Sequence, residues 1–180
     1  FRERAHADGV EPEVAQGRER LIGDFVGDRP LFLEIPKGDM EEITAEELRP
    51  HERELRGADF LFVYPGYSRI RTEDPERYLT RQPGFSVGAA EYLMGTFTLK
   101  GVCVDLMGIE NIGRAKTLNP PFPVHRAFLT AGRKFYLVED ANLRPLAGRK
   151  LLRSYAVPLL LPGAEGMMLT GFADVEAVRQ

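Results

Sequence analysis

Apolar residues fall in short, nearly continuous runs separated by polar stretches rich in Gly and Pro, and each run predicts an element by its length and period. Pro30–Pro36 (PLFLEIP) is bounded by prolines and predicts a strand ending at the Lys37-Gly38-Asp39 turn. Ala58–Tyr64 (ADFLFVY) is almost wholly apolar, which predicts a strand covered on both faces, and it halts at Pro65-Gly66. Leu99–Leu106 (LKGVCVDL) and Arg133–Glu139 (RKFYLVE) predict two further strands. Ser154–Leu161 and Met167–Val175, joined around Pro162-Gly163-Ala164-Glu165-Gly166, predict a terminal β-hairpin with a longer loop.

The stretches between these runs carry helix signals. Thr44-Ala45-Glu46-Glu47 is a capping box, predicting a helix to about Leu55 that ends at Gly57, where a left-handed cap costs little. Asp74-Pro75 starts a short helix through about Leu79, and Ser86 is placed to cap a helix over Ser86–Met94. Pro121–Ala131 (PFPVHRAFLTA) predicts another, after a loop at Gly108–Pro120 that is rich in Gly and Asn. The first thirty residues are polar, with Gly9, Gly17, Gly23 and Gly27, and predict a surface loop with one helical turn near Pro12–Arg20. Helices between apolar strands predict an α/β fold: a single domain over residues 1–180, with a mixed central sheet, flanking helices and a C-terminal β-hairpin.

Composition narrows the function classes. The chain has 180 residues, 43% apolar and 28% charged, and its 24 Lys plus Arg against 27 Asp plus Glu are interspersed rather than blocked. No basic stripe suggests nucleic acid, and no apolar run approaches the ~20 residues that span a bilayer. One cysteine, Cys103, lies inside an apolar run, so there is no disulfide framework and a cytoplasmic, soluble protein is expected. The chain begins at Phe1 rather than Met, which suggests that further N-terminal sequence precedes it in the natural protein. Walker-type, dinucleotide and Gly-x-Ser-x-Gly patterns are all missing, which disfavours phosphate cradling and a serine-hydrolase elbow.

Strand 99–106, helix 121–131 and strand 133–139 can bring His125 and Glu139 to one side of a sheet. There a nitrogen and a carboxylate could grip a divalent metal, although two ligands do not close a site. Each residue also has an ordinary reading: His125 as a helix histidine bonding a carbonyl, Glu139 as a strand-end carboxylate. His51, among Glu52, Arg53 and Glu54, reads as solvated, and His6 as solvated or lining a site. Asp105 ends an apolar strand, where α/β folds place site residues or loop caps. Tyr64 and Tyr67 could flank a substrate ring or simply pack, and Asn111 could donate to a substrate carbonyl or serve a turn.

The order of Ala58–Tyr67 (ADFLFVYPGY), Pro83–Leu93 (PGFSVGAAEYL), Leu99–Asp105 (LKGVCVD), Val124–Leu129 (VHRAFL), Leu137–Leu146 (LVEDANLRPL) and Tyr155–Gly166 (YAVPLLLPGAEG) resembles the metal-dependent cyclase family that includes bacterial kynurenine formamidase and isatin hydrolase. The resemblance implies a swivelling β/β/α fold and a zinc- or manganese-dependent hydrolase that cleaves an amide, lactam or formamide C–N bond in a small molecule. It places His125 and Glu139 as metal ligands, with Asp140 an alternative because Gly132–Glu139 is a residue or two longer than the family pattern. Family members carry an H-x-G-T-H-x-D-x-P-x-H signature that this sequence lacks, so the resemblance places the catalytic histidine and the other ligands upstream of Phe1. Two other functions stay open: a cyclase-fold binding or assembly module that is catalytically incomplete, and a polyketide-type cyclase or dehydratase. A homodimer or homotetramer is also implied, with an interface that contributes to the pocket.

Overall fold

The structure is a computed structural model and describes residues 22–130, 132–159 and 166–177. Among these, the strands are β1 (Val26–Gly27), β2 (Pro30–Glu34), β3 (Glu42–Ile43), β4 (Phe60–Tyr64), β5 (Gly84–Phe85), β6 (Gly101–Val104), β7 (Tyr136–Val138), β8 (Leu151–Pro158) and β9 (Leu169–Val175). The helices are α1 (Ala45–Leu48), α2 (Glu52–Gly57), α3 (Pro75–Thr80), α4 (Val87–Thr96), α5 (Ile112–Ala115) and α6 (Pro123–Leu129). The predicted turn at Pro12–Arg20, His6 and the hairpin tip at 160–165 lie outside the described residues.

The α/β fold expected from the sequence is present, with its parallel and antiparallel pairings in separate sheets. The central sheet is parallel, ordered β2-β4-β6-β7, and a second sheet, β1-β8-β9, is antiparallel. Register explains why β4 is apolar at nearly every position. Leu31, Leu61, Val102 and Leu137 form one row across the sheet, and Phe32, Phe62, Cys103 and Val138 form the next. Side chains alternate between faces. The first row therefore enters the large core with Leu48, Leu55, Leu93, Val124 and Phe128 of the helices. The second joins Phe60, Tyr64 and Tyr136 and packs on Ala156 of the antiparallel sheet.

Several local signals act as their chemistry requires. Ser86 Oγ accepts from the Ala89 N–H at 3.1 Å, and Asp74 Oδ1 accepts from the Arg77 N–H at 3.0 Å. Glu47 accepts from the Thr44 N–H at 3.0 Å, closing the start of α1. The helix expected over residues 44–55 is divided by a 3-10 turn at Arg49–His51, where Pro50 brings no N–H for the helical ladder. Gly57 is not left-handed; α2 instead stops as Ala58 turns extended toward β4.

Candidate metal centre

The carboxyl ends of β4, β6 and β7 lie side by side, and the loops that leave them carry the polar residues of the candidate site. In the loop after β6, Glu110 is 4% exposed although charged. Its carboxylate accepts from the backbone N–H groups of Val124 at 3.3 Å and His125 at 3.0 Å, the otherwise unpaired donors at the start of α6. The same Glu110 oxygen lies 2.7 Å from His125 Nδ1. One acid thus fixes both the helix start and the imidazole.

On the other side of the ring, His125 Nε2 is 3.1 Å from Glu139 Oε1, just past β7. That oxygen also accepts from the Ile109 N–H at 2.7 Å. Burial pulls the His125 pKa down, but hydrogen bonds and negative charge from Glu110 and Glu139 outweigh it and push the value up to about 9. Without a metal, the ring is an imidazolium held between two carboxylates.

Two non-glycine residues flank this arrangement in left-handed backbone conformation. Phe122, at φ 53°, precedes α6 and sets its ring edge-on to His125 at 5.7 Å. Asp140, at φ 55°, follows Glu139. Its carboxylate accepts from Tyr78 Oη at 2.8 Å and pairs with Arg71 at 2.7 Å. The structure therefore brings Glu139 to His125 and turns Asp140 to Tyr78 and Arg71.

The other sequence candidates are dispersed. Tyr64 is half-buried on the hairpin side of the sheet, with its ring 6.1 Å from Phe32. Tyr67 is buried in the helix-side core, stacked on Tyr78 at 6.2 Å, and its hydroxyl donates to Asp39 at 3.0 Å. Burial and Asp39 push the Tyr67 pKa up to about 12. Asn111 caps α5 by accepting from the Arg114 N–H at 2.8 Å and donates to the Gln82 carbonyl at 2.8 Å. Asp105 is fully buried and accepts from Ser68 Oγ at 2.6 Å; burial raises its pKa, against the Ser68 hydrogen bonds. His51 stands at the start of α2.

Sequence reasoning missed Glu110. The available signal was its isolation: between Asp105 and Arg114 it is the one charged residue in an otherwise uncharged segment, LMGIENIG. Burial of an acid needs a paid-up partner set, and here that set is α6 and His125.

Two donors 3.1 Å apart, one nitrogen and one carboxylate oxygen, fit adjacent corners of a tetrahedral cation site, whose ligands at ~2.0–2.2 Å stand roughly 3.3 Å from each other. Glu110 on Nδ1 matches the acceptor that orients a ligating imidazole. Among the described residues, no cluster of three or more His, Cys, Asp or Glu is placed to hold a metal.

Comparison with known proteins agrees with this architecture. An uncharacterized protein of Haemophilus influenzae is 36% identical over 101 residues, covering 54% of this chain and 71% of that protein. Isatin hydrolase A from Ralstonia solanacearum superposes with a TM-score of 0.65 at 21% identity, covering 92% of this chain and 62% of that one. Isatin hydrolase A from Labrenzia aggregata, bound to benzyl benzoate, gives 0.62 at 21% identity, covering 86% and 64%. A potential metal-dependent hydrolase with cyclase activity gives 0.63 at 20% identity, covering 85% and 67%. The chain thus spans less than two thirds of the length of the two isatin hydrolases, whose likeness shows a shared fold. The family model described as "Putative cyclase" matches residues 16–111, just over half of the sequence, and the chain belongs to that family.

Proposed function

We propose that this chain contributes to a metal-dependent hydrolase site acting on a small-molecule amide, lactam or formamide C–N bond. The observation that carries the reading is the His125 Nε2 to Glu139 Oε1 separation of 3.1 Å, with Glu110 on the opposite ring nitrogen. A divalent cation held there, zinc or manganese, supplies Lewis acidity toward a carbonyl oxygen and toward water. Glu110 keeps a proton on Nδ1 and so leaves the Nε2 lone pair for coordination. Glu139, oriented by the Ile109 N–H, offers the adjacent oxygen. The remaining coordination positions belong to residues outside the described set or to a second chain.

The metal-dependent description of one structural relative supports a divalent cation, and the names of the two isatin hydrolases support hydrolysis. A homodimer or homotetramer is part of the proposal: Val157, Leu159, Met168 and Phe172 leave apolar surface exposed on the β8–β9 hairpin. No helix among the described residues is long and apolar enough to cross a membrane.

A second reading, a cyclase-fold binding or assembly module, is favoured by the way both ring nitrogens of His125 already find carboxylates. Metal analysis of the full-length gene product separates the two. The hydrolase reading expects stoichiometric zinc or manganese, lost in His125→Ala and Glu139→Ala, together with C–N cleavage of N-formyl or lactam probes. A product that purifies without metal and takes up neither ion on titration overturns it in favour of the module.

A further inference from the structure

We infer that Gln82 is a positioning residue that sets the spacing of the two carboxylates around His125. The inference rests on the candidate centre described above, and it concerns a side chain whose hydrogen bonds go to neither His125 nor Glu139.

Gln82 is fully buried, lying between α3 and β5. A buried primary amide must satisfy both donor and acceptor, and every hydrogen bond of this one goes to a single three-residue segment. Its Nε2 donates to the carbonyls of Gly108 at 3.2 Å and Glu110 at 2.8 Å, while its Oε1 accepts from the Gly108 N–H at 3.3 Å. Those bonds bracket Ile109. The held segment delivers both halves of the clamp: the Ile109 N–H fixes Glu139, and the next side chain, Glu110, fixes His125.

The backbone of this strap is fixed from its other side as well. Phe85 N–H donates to the Ile109 carbonyl at 2.8 Å, and Gln82 accepts at its own carbonyl from Asn111 Nδ2 at 2.8 Å. At Gly84 the two segments approach so closely that an added Cβ would stand 2.5 Å from Glu110 Cα. Glycine is required there by contact rather than by dihedral angle. Residues 82–85 and 108–111 are therefore tied into one unit, with Gln82 as its buried polar rivet.

The test is Gln82→Met, which keeps side-chain length and removes all three bonds, read in full-length protein with 15N-labelled histidine. The expected result is a change in the His125 ring 15N resonances and a zinc affinity reduced roughly 10- to 100-fold, the range for losing support of a metal ligand. Asp59→Asn is the comparison. It weakens a buried clasp on the Asp28 and Arg29 N–H groups at the opposite end of β4 and is expected to lower Tm without moving the His125 resonances. Gly84→Ala, which pushes on the same loop without deleting a hydrogen bond, should shift them in the same way as Gln82→Met. If Gln82→Met does not fold, Gln82→Asn, which keeps a neutral amide but is one methylene too short to make all three bonds, is read in its place. Unchanged His125 resonances in a folded Gln82 variant overturn the inference, whether or not Tm falls. A wild-type protein that binds no zinc or manganese would overturn the hydrolase reading while leaving the ring spectra to decide the role of Gln82.

Discussion

Glu110 accepts hydrogen bonds from both the backbone N–H and the ring Nδ1 of His125, at 3.0 and 2.7 Å, although the two stand fifteen positions apart in the chain. The imidazole is thereby oriented by the same carboxylate that starts its own helix. Ring rotation and helix placement become one degree of freedom.

Removing that carboxylate should be costly. Glu110→Ala leaves two buried backbone N–H groups without a partner and the ring with Glu139 alone, a loss of about 3 kcal/mol. Urea denaturation should show a lower midpoint with an unchanged slope. Glu110→Gln keeps the volume and one acceptor and should cost less than half as much.

Stability of the metal-free protein should fall in alkaline solution. His125 is raised from about 6.5 unfolded to about 9 folded, so the folded state binds a proton that the unfolded state has lost between those values. The contribution is complete below about pH 6.5 and disappears as pH rises through about 9, amounting to roughly 1–3 kcal/mol. Thermal melts across this window should show the decline in wild type and not in His125→Gln. Zinc binding should run in the opposite direction and strengthen with pH, because coordination requires the deprotonated Nε2.

Asp140 should prove important for placement rather than for coordination. Asp140→Ala removes the closer acceptor of Tyr78, leaving the Asp105 carbonyl at 3.3 Å, and the partner of Arg71 while keeping a side chain at φ 55°, and should cost about 2 kcal/mol. Asp140→Asn tolerates the left-handed backbone and can still accept from Tyr78, so it should lose about half as much in the same denaturation experiment.

Cys103 should be unreactive in the folded protein. It is 3% exposed in the sheet, and burial together with Asp105 pushes its thiol pKa up. A thiol reagent should label it only at the rate of unfolding, measured by mass shift in increasing urea.

The local signals read from the sequence operate over a few residues, and those were legible. The Ser86 and Asp74 caps form within their own first turns, and the apolar run of β4 reflects a strand with a covered neighbour on each face. Pro50 splits the first predicted helix for a reason present in the sequence, its missing N–H. The short β3–β5 pairing was illegible because two-residue strands carry no period.

Sequence by itself determined the alternation that makes a layered α/β fold and put an imidazole and an acid on neighbouring elements, because periodicity and capping are properties of adjacent residues. Tertiary structure alone decided that Glu139 rather than Asp140 faces His125, that Glu110 takes the far ring nitrogen, and that Gln82 holds the loop between them. Those relationships join residues 14 to 28 positions apart. Which of two consecutive acids turns toward the ring depends on one left-handed dihedral and on the hydroxyl and guanidinium that hold it, and no local pattern encodes that choice.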